Sequence, residues 1–234
     1  MTTIAVVAGT LASYALAWTL GSPVLVPVLN TLPALPVLVL RLRRGRVGPA
    51  VADMLAWAAT MAVAATALSY WAPDATGQLF VHAETYRTEM FTWVRTGVGD
   101  ENQPARFLVT HAWHAAAFCL LSLASGSVLS LAMGAVLMNY MGHYVGALAS
   151  AGASPVPLAV LGWHPWSVVR IASYVVLGVV LGGPVLARVA GFAFRLRAQR
   201  AWLLAAALGL TADAVLKWLL APRWGALLRD LAGW

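Results

Sequence analysis

FLVTHAWHAAAFCLLSLASGSVLSLAMGAVLMNYMGHYVGAL, residues 107–148, decides the fold. The stretch holds no Asp, Glu, Lys or Arg, and it is long enough for two membrane crossings of about 20 residues each. Ser125-Gly126-Ser127 interrupts it near the middle, so it reads as two helices, 107–125 and 128–148, joined by a tight turn. Within this hydrocarbon-like run lie His111, His114 and His143, and His164 follows shortly after. Polar side chains in hydrocarbon cost a few kcal/mol unless something pairs with them, so these imidazoles call for partners.

The rest of the chain repeats the pattern. Of 234 residues, 61% are hydrophobic and only 10% charged, against about 25% charged in an ordinary soluble domain. Mean hydropathy is +0.79. The fold class expected is an all-α, polytopic transmembrane bundle of six to seven spans, formed as a single integral membrane domain over 1–234. The spans fall at about 3–21, 22–40, 51–70, 107–125, 128–148, 166–188 and 201–220. The alternating ten-residue segments of a membrane barrel are missing. Pro23, Pro27, Pro33 and Pro36, with Asn30, interrupt regular hydrogen bonding in 22–40, which reads as a broken segment, either kinked or re-entrant. The N-terminus lacks a basic region and a small-residue cleavage site, so the first span is expected to be retained.

Charge sets the orientation. The formal net charge is +7, Lys217 is the only lysine, and the arginines concentrate in RLRRGR (Arg41–Arg46) and RLRAQR (Arg195–Arg200). By the positive-inside rule both clusters face the cytoplasm, which four intervening crossings permit. The basic excess therefore reports topology in a bacterial-type cytoplasmic (inner) membrane, not nucleic-acid binding. The N-terminus is then cytoplasmic, and loop 71–106, with the tail after Leu220, is outside. Inside that loop, 78–96 (QLFVHAETYRTEMFTWVRT) places apolar residues at near-helical spacing beside charges, which predicts an amphipathic helix on the membrane surface or capping the bundle.

Depth arithmetic brings the polar residues to one band. At 1.5 Å per residue from Phe107, His111 lies about 6 Å and His114 about 10 Å below the outer surface. Returning outward, Asn139 lies about 12 Å and His143 about 6 Å below it, and Arg170 sits about 9 Å in from the mouth at His164. Three chemistries fit. A transition metal, zinc, copper or iron, would take His111, His114, His143 and His164, with Glu84, Glu89 or His82 as further ligands. Haem b would use His114 and His143 from facing helices. In the third, the histidines hydrogen-bond Asn139, Tyr140, Tyr144 and Thr110 and fix helix register. No HExxH or comparable signature selects among them. Asp213, twelve residues in from Ala201, reaches the depth of Arg170 in a core of about 30 Å, which predicts an ion pair for which Lys217, four residues on, competes.

Gly142–Gly146 and Gly178–Gly182 are small-xxx-small pairs that predict close helix packing or dimerisation. Asp53 and Arg188 near the inner surface need only be paired or snorkelling. Cys119, the one cysteine, excludes an intrachain disulfide.

THAWH (110–114), ASGS (124–127), NYMGHYVG (139–146) and WHPWS (163–167) occur in an order that resembles the stage II sporulation protein M family of membrane proteins. Tyr140, Pro165 and Val168 depart from that family's pattern. The resemblance implies a multi-span component of a membrane complex, with Asn139 and His164 as candidate functional positions; no enzyme activity follows from it. Two functional classes stand at this stage. One is a membrane-embedded assembly or transport component, with other subunits or copies of itself as partners beside the lipid bilayer. The other is a metal-dependent membrane enzyme, or a haem- or metal-binding subunit.

Overall fold

A computed structural model describes residues 2–234, and among them it is all-helical. Seven helical stretches are long and apolar enough to cross a membrane, and the protein is an integral, multi-pass membrane protein. The first crossing is α1 (Thr2–Leu20). The second is α2 (Leu25–Thr31) and α3 (Ala34–Arg43), and the third is α4 (Val47–Trp71). Two short helices follow, α5 (Pro73–Leu79) and α6 (Ala83–Thr96). Four more crossings complete the bundle: α7 (Pro104–Ser125), α8 (Val128–Ala151), α10 (Pro165–Ala190) and α11 (Arg200–Ala232), with the short α9 (Pro155–Leu161) between α8 and α10.

The broken second segment is one bent crossing, since Leu32 and Pro33 keep right-handed helical dihedrals between α2 and α3. Proline without an N–H accounts for the bend. The polar groups at the kink are satisfied by protein. Trp57 donates its indole N–H to the Asn30 carbonyl at 2.9 Å. The Asn30 side chain donates to Ser13 Oγ at 2.8 Å and accepts from Asn139 Nδ2 at 2.9 Å, and Asn139 Oδ1 accepts from Tyr14 at 2.5 Å. This buried chain pins α1, α2 and α8 in register, which is how such groups are tolerated in hydrocarbon. Asn139 therefore belongs to this network, away from the histidines.

α8 is the central post, and α4 lies directly along it. The close approach is made by glycine. A Cβ on Gly142 would come within 2.5 Å of the Ala65 Cβ, and one on Gly146 would strike the Thr66 carbonyl. The pair GHYVG thus serves packing within the chain. The α7–α8 turn is carried by Gly126 and Ser127 at φ 60° and 69°. Gly182 in turn closes on Ser127, whose hydroxyl donates to the Gly178 carbonyl at 2.5 Å.

At the end bearing Arg41, Asp53 is 2% exposed and accepts from Arg41 Nε at 2.7 Å and Thr3 at 2.6 Å, which ties α1, α3 and α4 together. Trp202 of α11 sits against Gly48, so the two arginine clusters share this end.

The opposite end differs from the sequence expectation in two places. The amphipathic helix expected at 78–96 is split by an elbow at Phe80–His82, where His82 takes φ 62°, and only α6 continues. Leu79 and Phe80 are buried at the elbow, whereas a single straight helix would lift them off the bundle. α6 buries Met90, Trp93 and Val94 against α8 and α11 and caps the bundle. The last span also does not end at Leu220. α11 runs for 33 residues through Pro222 to Ala232, about 50 Å at 1.5 Å per residue, well beyond a core of about 30 Å. Its final turns are held by α6 and by the segment between α8 and α10: Arg229 donates to the Val94 carbonyl at 2.7 Å, Trp224 to the Leu161 carbonyl at 2.9 Å, and the Ala153 N–H to the Ala232 carbonyl at 3.2 Å.

Candidate binding chamber beneath the cap

Below α6, between α7, α8, α10 and α11, lies a cavity of about 340 Å³. α7 packs on α8 and α10 but buries only Phe107, Phe118 and Ser122 fully, so much of its surface is left to face lipid. Glu89 from α6 and Asp100 and Glu101 from the turn before α7 border the mouth. His111, His114, Tyr140, Arg170 and Lys217 line the middle, and Leu137, Met138, Ile171 and Tyr174 form the inner wall.

Two ion pairs cross this space. Arg170 donates from Nε and Nη2 to the two oxygens of Asp213, each at 2.9 Å, in the bidentate geometry that gives arginine its strongest contacts. Asp213 is 2% exposed, and His111 Nδ1 stands 3.4 Å from its Oδ2. Lys217 does not compete for that carboxylate. Its Nζ, lying over the Phe107 ring at 4.8 Å, donates to Glu101 at 2.7 Å. One turn toward the mouth from Asp213, it meets the loop that folds back over the cavity before it can reach Arg170's partner. Burial alone would raise the Glu101 carboxyl, but the Lys217 ammonium outweighs it and holds Glu101 below its usual range. Glu89 has no such partner: burial first, then repulsion from Asp100 and Glu101, push it up.

The four imidazoles do not converge. His111 and His114 face the chamber. His143, fully buried, sits on the α5 side of α8, with Nδ1 3.0 Å from Thr76 Oγ1 and Nε2 3.5 Å from Glu84 Oε1. Glu84 is engaged by Arg87 at 2.6 Å. His164 caps α10 inside an aromatic sheath, stacked on Trp166 at 4.7 Å and edged by Trp93, with Nε2 3.4 Å from the Tyr144 hydroxyl. Tyr140 lines the chamber, whereas His143, three residues on, turns to Thr76 and Glu84 and does not reach it. Among the described residues, no group of three or more His, Cys, Asp or Glu side chains is placed to hold a metal ion. His114 and His143 likewise occupy separate surroundings and do not face one haem-sized space. His82 lies at the elbow beside the chamber mouth, and Tyr144 is buried in the aromatic sheath.

Glu101, Tyr86 and Tyr174 also line the chamber, and sequence reasoning did not single them out. Nothing in the loop GVGDENQP distinguishes Glu101 from Asp100; only the fold brings it over Lys217.

His164 carries a pH prediction. Burial, countered in part by Glu101 and reinforced by Lys217 and Arg170, lowers it from 6.5 to about 4. The unfolded chain takes up the proton first, so the stability this residue supports is full above pH 6.5 and is lost as pH falls toward 4. Thermal unfolding of detergent-solubilised protein will therefore show a fall in midpoint across that window, and His164→Phe will reduce the fall.

Comparison with protein families, with curated proteins and with solved structures finds no match to this chain.

Proposed function

We propose that this protein is a non-enzymatic, membrane-embedded assembly or transport component that binds a compact polar group in the chamber beneath α6. The chamber itself carries the reading. At about 340 Å³ it falls within the usual range of ligand pockets, and it combines an apolar inner wall with a few convergent polar groups. Ionisable residues inside membrane helices ordinarily mark a pathway or binding site, and here two ion pairs and two imidazoles border one space. Both pairs are already satisfied within the protein, which favours recognition of a ligand over bond-making chemistry. The arginine clusters at the far end support placing the chamber at the outer leaflet of a cytoplasmic membrane. Partner subunits of the kind implied by the stage II sporulation protein M resemblance are part of this proposal.

A thiol-reactivity measurement tests it. In detergent free of phospholipid, with Cys119→Ala as background, a small charged reagent will modify a cysteine at His114 at a rate comparable to one at Asp100 on the mouth. A cysteine at His114 that stays inert while the Asp100 position reacts would contradict a water-filled chamber.

A further inference from the structure

Next to the chamber lies a second, smaller cavity of about 50 Å³, separated from it by the shared wall of Leu137, Met138, Ile171 and Tyr174, whose side chains need only shift to join the two. The second cavity extends toward the bilayer centre between Trp57 of α4, Phe118 of α7 and Leu131 of α8, and no charged residue lines it. Read from mouth to interior, the combined space has three zones. Carboxylates border the entrance at Glu89, Asp100 and Glu101. Cationic and imidazole groups follow at Lys217, Arg170, His111 and His114. The apolar pouch comes last.

A soluble polar ligand has no use for the third zone. An anionic lipid would meet the carboxylates at the mouth. One chemistry has its groups in the same order along its length: an outermost ammonium, a phosphate below it, and a hydrocarbon chain below that. We propose that the chamber binds a single zwitterionic phospholipid, its ammonium at the Glu89 side, its phosphate toward the unengaged N–H groups of Arg170, and a few methylenes of one acyl chain in the pouch. This rests on the chamber being a ligand site and adds the ligand's class.

α7 supplies the route. Its outward face is open to lipid, with Val109 71%, Trp113 73% and Leu120 66% exposed, so this one helix separates the chamber from the bilayer. The Arg170 side chain remains 22% exposed although two of its donors are engaged by Asp213, so its remaining N–H groups are free to meet a phosphate oxygen.

Gly134 gives a variant that alters the pouch alone. A Cβ there meets only Trp57 at 3.8 Å and Phe118 at 3.9 Å, which is ordinary contact, so a Gly134→Leu side chain starts without a clash and occupies pouch space. Protein in detergent is equilibrated with an equal mixture of phosphatidylethanolamine and phosphatidylglycerol, and retained lipid is counted by native mass spectrometry. Water-soluble glycerophosphoethanolamine is titrated separately by calorimetry.

The proposal expects one phosphatidylethanolamine per chain, preferred over phosphatidylglycerol by about tenfold. It expects Gly134→Leu to lower that retention by about tenfold while glycerophosphoethanolamine binds as in the wild type. Exposed Glu89→Gln, which disturbs no packing, is expected to narrow the preference between the two lipids. Equal retention of both lipids, or full retention by Gly134→Leu, overturns the lipid assignment and leaves the chamber as a site for a soluble polar group if glycerophosphoethanolamine still binds. Failure of both the lipid and its soluble head to bind the wild type overturns the chamber reading as well.

Discussion

Asp213→Ala is expected to destabilise the protein by about 3–5 kcal/mol, the usual consequence of removing one partner from a buried ion pair. The carboxylate is 2% exposed and accepts both donors of Arg170, so its loss leaves a guanidinium between α10 and α11 without a counter-charge at membrane depth. The size comes from stranding the charge, not from the pair's net worth. The paired replacement Arg170→Met with Asp213→Leu should therefore recover most of the stability, because apolar residues of similar volume often substitute for a buried pair at little cost. Unfolding midpoints of the two single variants and the double variant in one detergent check this. An Asp213→Ala midpoint equal to wild type would mean the pair carries no structural weight.

Gly146→Leu is the second large effect. Its Cβ would collide with the Thr66 carbonyl, lie 2.7 Å from the Ser69 Cβ and reach 2.8 Å from the Tyr70 amide, so two of the three obstacles are backbone of α4. A side chain there forces α4 and α8 apart along the centre of the bundle. Overpacking costs about 1–3 kcal/mol and occasionally more, and backbone obstacles place this case at the upper end. Gly134→Leu on the same helix, where a Cβ finds only ordinary contacts, serves as the control. Equal stability of the two variants by denaturant or thermal unfolding would contradict the close α4–α8 approach.

The seven crossings are written plainly in the sequence, because burial in lipid asks only for length and apolarity, and both can be read residue by residue. Helix rise and bilayer thickness bring Asp213 to the depth of Arg170, and in the structure the two side chains are 2.9 Å apart. Depth is not azimuth, however. His143 lies in the same band as His111 and yet turns toward Thr76 on the far side of α8, since which face of a central helix meets which neighbour depends on packing that no single segment encodes. Asn139 is a similar case: it is drawn to the Pro-kinked crossing by Asn30, a partner 109 residues away. The long α11 was hidden by Pro222, which reads as a stop but is carried within the helix when contacts such as those of Trp224 and Arg229 hold the following turns. The pairing of Lys217 with Glu101 depends on how a loop folds back, and spacing along the chain says nothing about that.

The most direct test of the account is sided labelling in intact cells with a membrane-impermeant thiol reagent, using single cysteines at Glu89 and at Arg44 in a Cys119→Ala background. The account predicts that the cysteine at Glu89 is labelled from outside while the one at Arg44 is labelled only after the membrane is opened. Labelling of Arg44 from outside, with Glu89 protected until the membrane is opened, would contradict a chamber that opens on the face opposite the arginine clusters.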